Sequence, residues 1–168
     1  MIVSKALGNF ILPVVLVVAA TGCETINDDR IPSVPVNVPF QSVGMWNAFG
    51  ISGAMDYRTF INTSIDRVPV NFPYSVSMYT GYGGILLVGD LYGNPVAYDL
   101  ACPVECSPEV RIVVDYDHND AYCPVCGSSY DVFSGLGNPT GGRAAEMGWG
   151  LRHYGVIQTP GAYLAIVN

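Results

Sequence analysis

Cys102-Pro-Val-Glu-Cys106 and Cys123-Pro-Val-Cys126-Gly127-Ser128-Ser-Tyr130-Asp131 frame an acidic connection, and the rest of the chain is read outward from them. They hold four of the five cysteines as two close pairs, one spaced by three residues and the other by two, with sixteen residues between. Thiolates carried on two short facing loops suit a tetrahedral metal centre. Each pair begins Cys-Pro-Val, so both loops read as stiff knuckles. The candidate ligands are Cys102, Cys106, Cys123 and Cys126.

A chain of 168 residues can bury one substantial core. Charged residues are only 12% of it, against 19 Gly, 12 Pro and 11 Tyr, which favours strands and turns over helices. The expected class is all-β, an antiparallel β-sandwich or open barrel carrying a two-loop metal subdomain of rubredoxin or zinc-ribbon type. Lys5 is the sole lysine and the net charge is −7, so nucleic acid is excluded as a partner, because phosphate contacts need a basic face. A partner with a basic surface, or a divalent cation, suits that charge.

Lys5, the apolar run Phe10 to Ala20, and Thr21-Gly22-Cys23 describe a signal peptide over residues 1–22. Small residues ending in cysteine resemble the bacterial lipobox. That resemblance implies cleavage before Cys23, lipidation of its sulfur, and a membrane-anchored place in the cell envelope. One cysteine spent on the anchor leaves four for the centre. Residues 23–33, with Asp28 and Asp29 adjacent, read as a lipidated cysteine and solvated tether.

Residues 34–77 read as N-terminal strands and a covering loop. Val34 to Phe40 alternates apolar residues with proline, which restricts a strand to an edge or to the start of a sheet, and Val68 to Tyr74 nearly repeats it. Gln41 to Arg67 has no clean period and reads as a covering loop with one helical turn. Further strands are expected at Ser75–Tyr79, Gly84–Val88, Pro95–Asp99, Val110–Asp115, Ser129–Phe133, Leu151–Ile157 and Ala162–Val167. Asp117–Asp120 reads as a turn and Gly135–Gly142 as a loop.

At the second knuckle the chain resembles the Rieske iron–sulfur family, whose second loop runs Cys-Pro-x-His-Gly-Ser-x-[Phe/Tyr]-Asp. Here Cys126 stands at the histidine, and in the first loop Val104 stands where the family's other histidine would be. The flanking stretches Gly84 to Asp99 and Gly137 to Val156 fit as well, so the resemblance spans a Rieske-like domain over 78–168. It implies that Gly127, Ser128 and Tyr130 surround the centre, Ser128 bonding a cluster sulfide and Tyr130 a cysteine sulfur. With both histidines gone, a [2Fe-2S] cluster on four cysteines would be a low-potential electron carrier.

Three chemistries stay open: structural zinc on four thiolates, that cluster, and a metal-free interaction module held by two disulfides. The signal lacks the twin arginine that marks export of folded, cluster-loaded proteins, which favours zinc. His118 and His153 read as surface histidines. No nucleophile–base pair or paired carboxylates stand out, so the expected role is non-catalytic.

Overall fold

The computed structural model describes residues 26–168, so the stretch expected to be a signal peptide, and Cys23, lie outside the described residues. Among the described residues, twelve strands and two short helices make an all-β protein with two antiparallel sheets. The strands are β1 (Val36–Phe40), β2 (Tyr57–Asn62), β3 (Arg67–Val68), β4 (Tyr79–Thr80), β5 (Ile85–Gly89), β6 (Pro95–Asp99), β7 (Val113–Asp115), β8 (Asp120–Tyr122), β9 (Ser129–Asp131), β10 (Asn138–Gly141), β11 (His153–Thr159) and β12 (Ala162–Val167). The helices are α1 (Val43–Phe49) and α2 (Gly142–Met147). The large sheet runs β3-β2-β5-β6-β11-β12-β1-β4 and curls into a half-barrel; the small one runs β10-β9-β8-β7.

β5 sits between two cores. Ile85 and Leu87 point into one with Val38, Phe40, Phe60 and Phe72, over which α1 lays Trp46 and Phe49. Leu86 and Val88 point into the other, with Tyr98, Cys102, Ile112, Cys123, Tyr130 and Leu151. Full burial of each such side chain stabilises the fold by about 1.5–3 kcal/mol. The second core fastens the small sheet to the large one, and two candidate ligands belong to it.

Several expectations changed. Val36–Phe40 is not an outer strand, since β1 lies between β12 and β4. β4 pairs only with Val36 and Asn37, so Pro39, with no N–H to give, lies beyond that ladder. The stretch 68–74 forms no second copy of β1: after Val68 it turns, and Val70 stays 85% exposed. Tyr57–Asn62, read as loop, is a six-residue strand on β5. Phe60 and Ile61 enter opposite cores, so burial on both faces erased the alternation that marks a strand. The loop expected at Gly135–Gly142 contains β10 and leads into α2.

The tether also changed. From Ile26 the chain is docked: Asn27 bridges Trp149, its amide giving to Gly148 O at 2.7 Å while its carbonyl takes Gly150 N at 2.9 Å. Ile31 is fully buried, Arg152 donates to Ile31 O and Asp29, and the Arg30 guanidinium stacks on Trp149 at 4.3 Å. Polar composition concealed this because the anchoring uses backbone groups, charged side chains with distant partners and only one buried isoleucine. No helix among the described residues is long and apolar enough to cross a membrane.

Candidate metal centre

The first knuckle follows β6 and the second joins β8 to β9. Each holds its leading cysteine by backbone bonds. Cys102 N donates to Val110 O at 2.9 Å and Cys106 N returns to Cys102 O at 2.9 Å. In the second loop Cys123 N donates to Ser128 O at 2.8 Å and Gly127 N returns to Cys123 O at 2.9 Å. Residues 103–105 and 124–126 form the same three-residue turn, closed by a left-handed residue, Cys106 at φ 48° and Gly127 at φ 69°.

This geometry gathers three sulfurs. The Sγ atoms of Cys102, Cys123 and Cys126 lie within 4.8 Å of one another, and Cys102 and Cys126 are 3.7 Å apart. Tetrahedral zinc with bonds of about 2.3 Å sets its sulfurs about 3.8 Å apart. Three thiols placed this way could bind a metal ion. Cys106 is not among them: its thiol contacts Pro103 O at 3.1 Å and Arg30 O at 3.6 Å. The four-sulfur set expected from spacing is therefore not assembled, because Cys106 fills the turn-closing position that glycine fills in the other knuckle. Cys23 lies outside the described residues.

The surrounding residues meet the sulfurs directly. Tyr130, fully buried, sets its hydroxyl 3.5 Å from Cys102 Sγ. Ser128 Oγ lies 3.3 Å from Cys126 Sγ and accepts from Ala144 N in α2 at 3.1 Å. Gly127 contributes its left-handed turn, and Val104 packs on the core beside the thiols. Burial pushes the Cys102 thiol up to about 12, against hydrogen bonds from Tyr130 and the amides of Glu105 and Val104. Burial also opposes ionisation of Cys126, but bonds with Ser128 and the neighbouring thiols outweigh it and lower its pKa. A divalent ion would offset the cost of ionising the buried sulfurs.

One contact sequence reasoning missed sits beneath the first knuckle. Asp99, ending β6, is fully buried and accepts from Ala101 N at 2.7 Å, Tyr82 N at 2.9 Å, Gly83 N at 3.0 Å and Tyr154 Oη at 2.5 Å. Burial pushes its carboxyl upward while these donors pull it back. Tyr82 Oη in turn donates to Cys106 O at 2.9 Å, so the carboxylate braces the first loop. Gly81 is required here: its φ is 75°, and a Cβ would fall 2.3 Å from Tyr154 Oη.

His118 Nδ1 pairs with Asp115 Oδ2 at 2.8 Å and lies on a cavity of about 400 Å³ with Asp120, Asp131 and Phe133. His153 lies 3.7 Å from Asp28. Asp115 and Asp120 face each other across β7 and β8, and the pKa of Asp120 is raised by burial and then by Asp115. A raised acid destabilises the fold as pH climbs through the ordinary carboxyl range. Asp120→Asn is therefore expected to stabilise the protein by about 0.5 kcal/mol at pH 7. Urea titrations should show the gain disappearing near pH 3; an unchanged or lower midpoint at pH 7 would count against the repulsion.

Fold and site together define an all-β protein whose two sheets present a three-thiol group able to hold a metal. No family model, curated protein or solved structure matches this chain.

Proposed function

We propose that this is an exported, lipid-anchored protein with a Rieske-like domain whose centre holds one structural zinc ion and performs no catalysis. The observation that carries the metal choice is the sulfur spacing. Cys102 and Cys126 at 3.7 Å fit the shell of a single ion, whereas a two-iron cluster divides its four cysteines between two metals. The ligands also join the core between the sheets, so a bound ion would fasten the knuckles to each other and to the fold. The sulfur contacts of Tyr130 and Ser128 favour a second reading, the all-cysteine electron carrier, since the Rieske resemblance implies hydroxyls there.

Export rests on the apolar leader, and anchoring on Thr21-Gly22-Cys23. An acidic surface and the absence of any lysine after Lys5 suit a basic protein partner.

Anaerobic purification of the full chain, with elemental analysis, a thiol assay and a visible spectrum, tests the reading. One zinc per colourless chain is expected. Iron with labile sulfide and broad visible absorption would replace zinc by the carrier. Absence of both metal and free thiols would leave the disulfide-held module. Cys23→Ala should move the protein from the detergent phase to the aqueous phase; unaltered partitioning would overturn the anchor.

A further inference from the structure

We propose that Glu105, rather than Cys106, supplies the fourth ligand, making a centre of three thiolates and one carboxylate. The proposal rests on the metal reading above.

The two knuckles repeat one another. Shifted by 21 residues, Cys102-Pro-Val-Glu-Cys106 falls on Cys123-Pro-Val-Cys-Gly127. The backbones agree through the turn itself: 103–105 matches 124–126, and Cys106 N→Cys102 O matches Gly127 N→Cys123 O, both 2.9 Å, while the loops diverge only beyond it, Cys102 N reaching Val110 O and Cys123 N reaching Ser128 O. The left-handed residues Cys106 and Gly127 also match. A shared backbone path sends equivalent Cβ atoms in equivalent directions. The second knuckle ligates from its first and fourth residues, Cys123 and Cys126. In the first knuckle those positions are Cys102 and Glu105.

The fifth position closes the turn, and its side chain leaves the loop elsewhere. The Cys106 thiol accordingly lies on Pro103 O and Arg30 O, contacts it would forfeit on becoming a ligand. Glu105 is half-buried and enters none of the ion pairs among the described residues. Its carboxylate is outside the 4.8 Å sulfur group, so ligation requires its side chain to rotate when the ion arrives. Zinc accepts a carboxylate oxygen at about 2.0–2.2 Å as the fourth corner of a thiolate site. The resulting charge is −2, the same as for zinc on four thiolates. An all-cysteine two-iron cluster has no place for that oxygen.

The test loads the reduced full-length protein with Co²⁺ and then Zn²⁺, reading the thiolate-to-cobalt charge-transfer intensity, which rises with the number of bound sulfurs, and zinc affinity by competition. Wild type should give three-thiolate intensity. Glu105→Gln should weaken zinc by more than about tenfold, beyond the low end of what an outer-shell partner contributes. Cys106→Ser should stay within about twofold of wild type on the same scale. Glu105→Cys should raise the intensity to the four-thiolate level, a gain that a misfolded variant would not produce. A four-thiolate wild type that loses a sulfur in Cys106→Ser would overturn the proposal. So would Glu105→Gln binding as tightly as wild type. A wild type that binds neither ion would overturn the metal reading itself.

Discussion

Cys123→Ser is expected to abolish zinc retention and to cost about 4 kcal/mol in excess zinc, the linkage lost when a site occupied at about a thousand times its dissociation constant goes empty. For a domain of this size that is a fall of about 10 °C in Tm. Cys123 is the most consequential of the three thiols to remove. It is fully buried within the core joining the sheets, and its knuckle also carries Cys126, so one substitution disturbs two ligands. The serine hydroxyl is smaller and a poorer zinc ligand, and it leaves Cys102 and Cys126 with half a coordination shell. Calorimetry with and without zinc separates the effects. Wild type should gain stability from zinc and the variant should gain none; an equal gain in both would show that the ion binds elsewhere.

The second large effect is expected at Asp99→Ala. Three amides and the Tyr154 hydroxyl converge on this buried carboxylate, and alanine strands all four donors. Orphaned buried donors cost about 1–3 kcal/mol each, and their effects do not add fully, so about 4 kcal/mol is expected in total. Asp99→Asn keeps one acceptor oxygen and should recover part of it. The penalty should also depend on pH. Burial raises the Asp99 pKa, so its stabilising contribution is complete below the ordinary carboxyl range and declines as pH rises through the folded-state value. The gap between wild type and Asp99→Ala should thus be wider at pH 4 than at pH 8. A gap that widens with pH would mean that the donors overcome burial and that the carboxylate is held charged. Because Tyr82 links this cluster to Cys106 O, the variant should also loosen the first knuckle, visible as faster amide exchange at Glu105 and Cys106.

Much of the β architecture was legible because it follows from one-sided patterns and turn residues. Ala162–Val167 is β12 with the expected bounds, and Pro95–Asp99 is β6, which pairs with β5 through five registered positions. What escaped were segments whose neighbours decide their state. β2 lost its alternation by burial on both faces. α2 has six residues and no side-chain cap, and it is held by Ala144 N on Ser128 Oγ and by a left-handed Gly148. Val76, within an expected strand, is 98% exposed, because β-propensity without a partner strand makes no ladder.

The site was legible to the level of two cysteine loops and the hydroxyls beside them. The fourth corner is where sequence and structure part, since the Cys106 sulfur stands outside the group of three. Counting cysteines gives Cys106, while counting positions from each Cys-Pro-Val gives Glu105, the reading proposed above, and the left-handed backbone at the fifth residue of both loops is what separates the two counts. The repeat was present in the sequence, but its meaning depends on which residue of the turn points toward the ion.

The docked segment at Ile26–Ile31 gives the molecule a mechanical property. Asn27 is clasped by Trp149 and Gly150, and Arg30 O meets the Cys106 thiol, so the chain enters the domain beside the first knuckle. Two residues lie between Cys23 and Ile26, so the three chain steps can span at most about 11 Å. Were the chain anchored at Cys23 as proposed, a pull there would reach the docked segment within that span. It would load the Asn27 clasp on Gly148 and Gly150 first, and past it the contact of Arg30 O with the Cys106 thiol at the rim of the first knuckle.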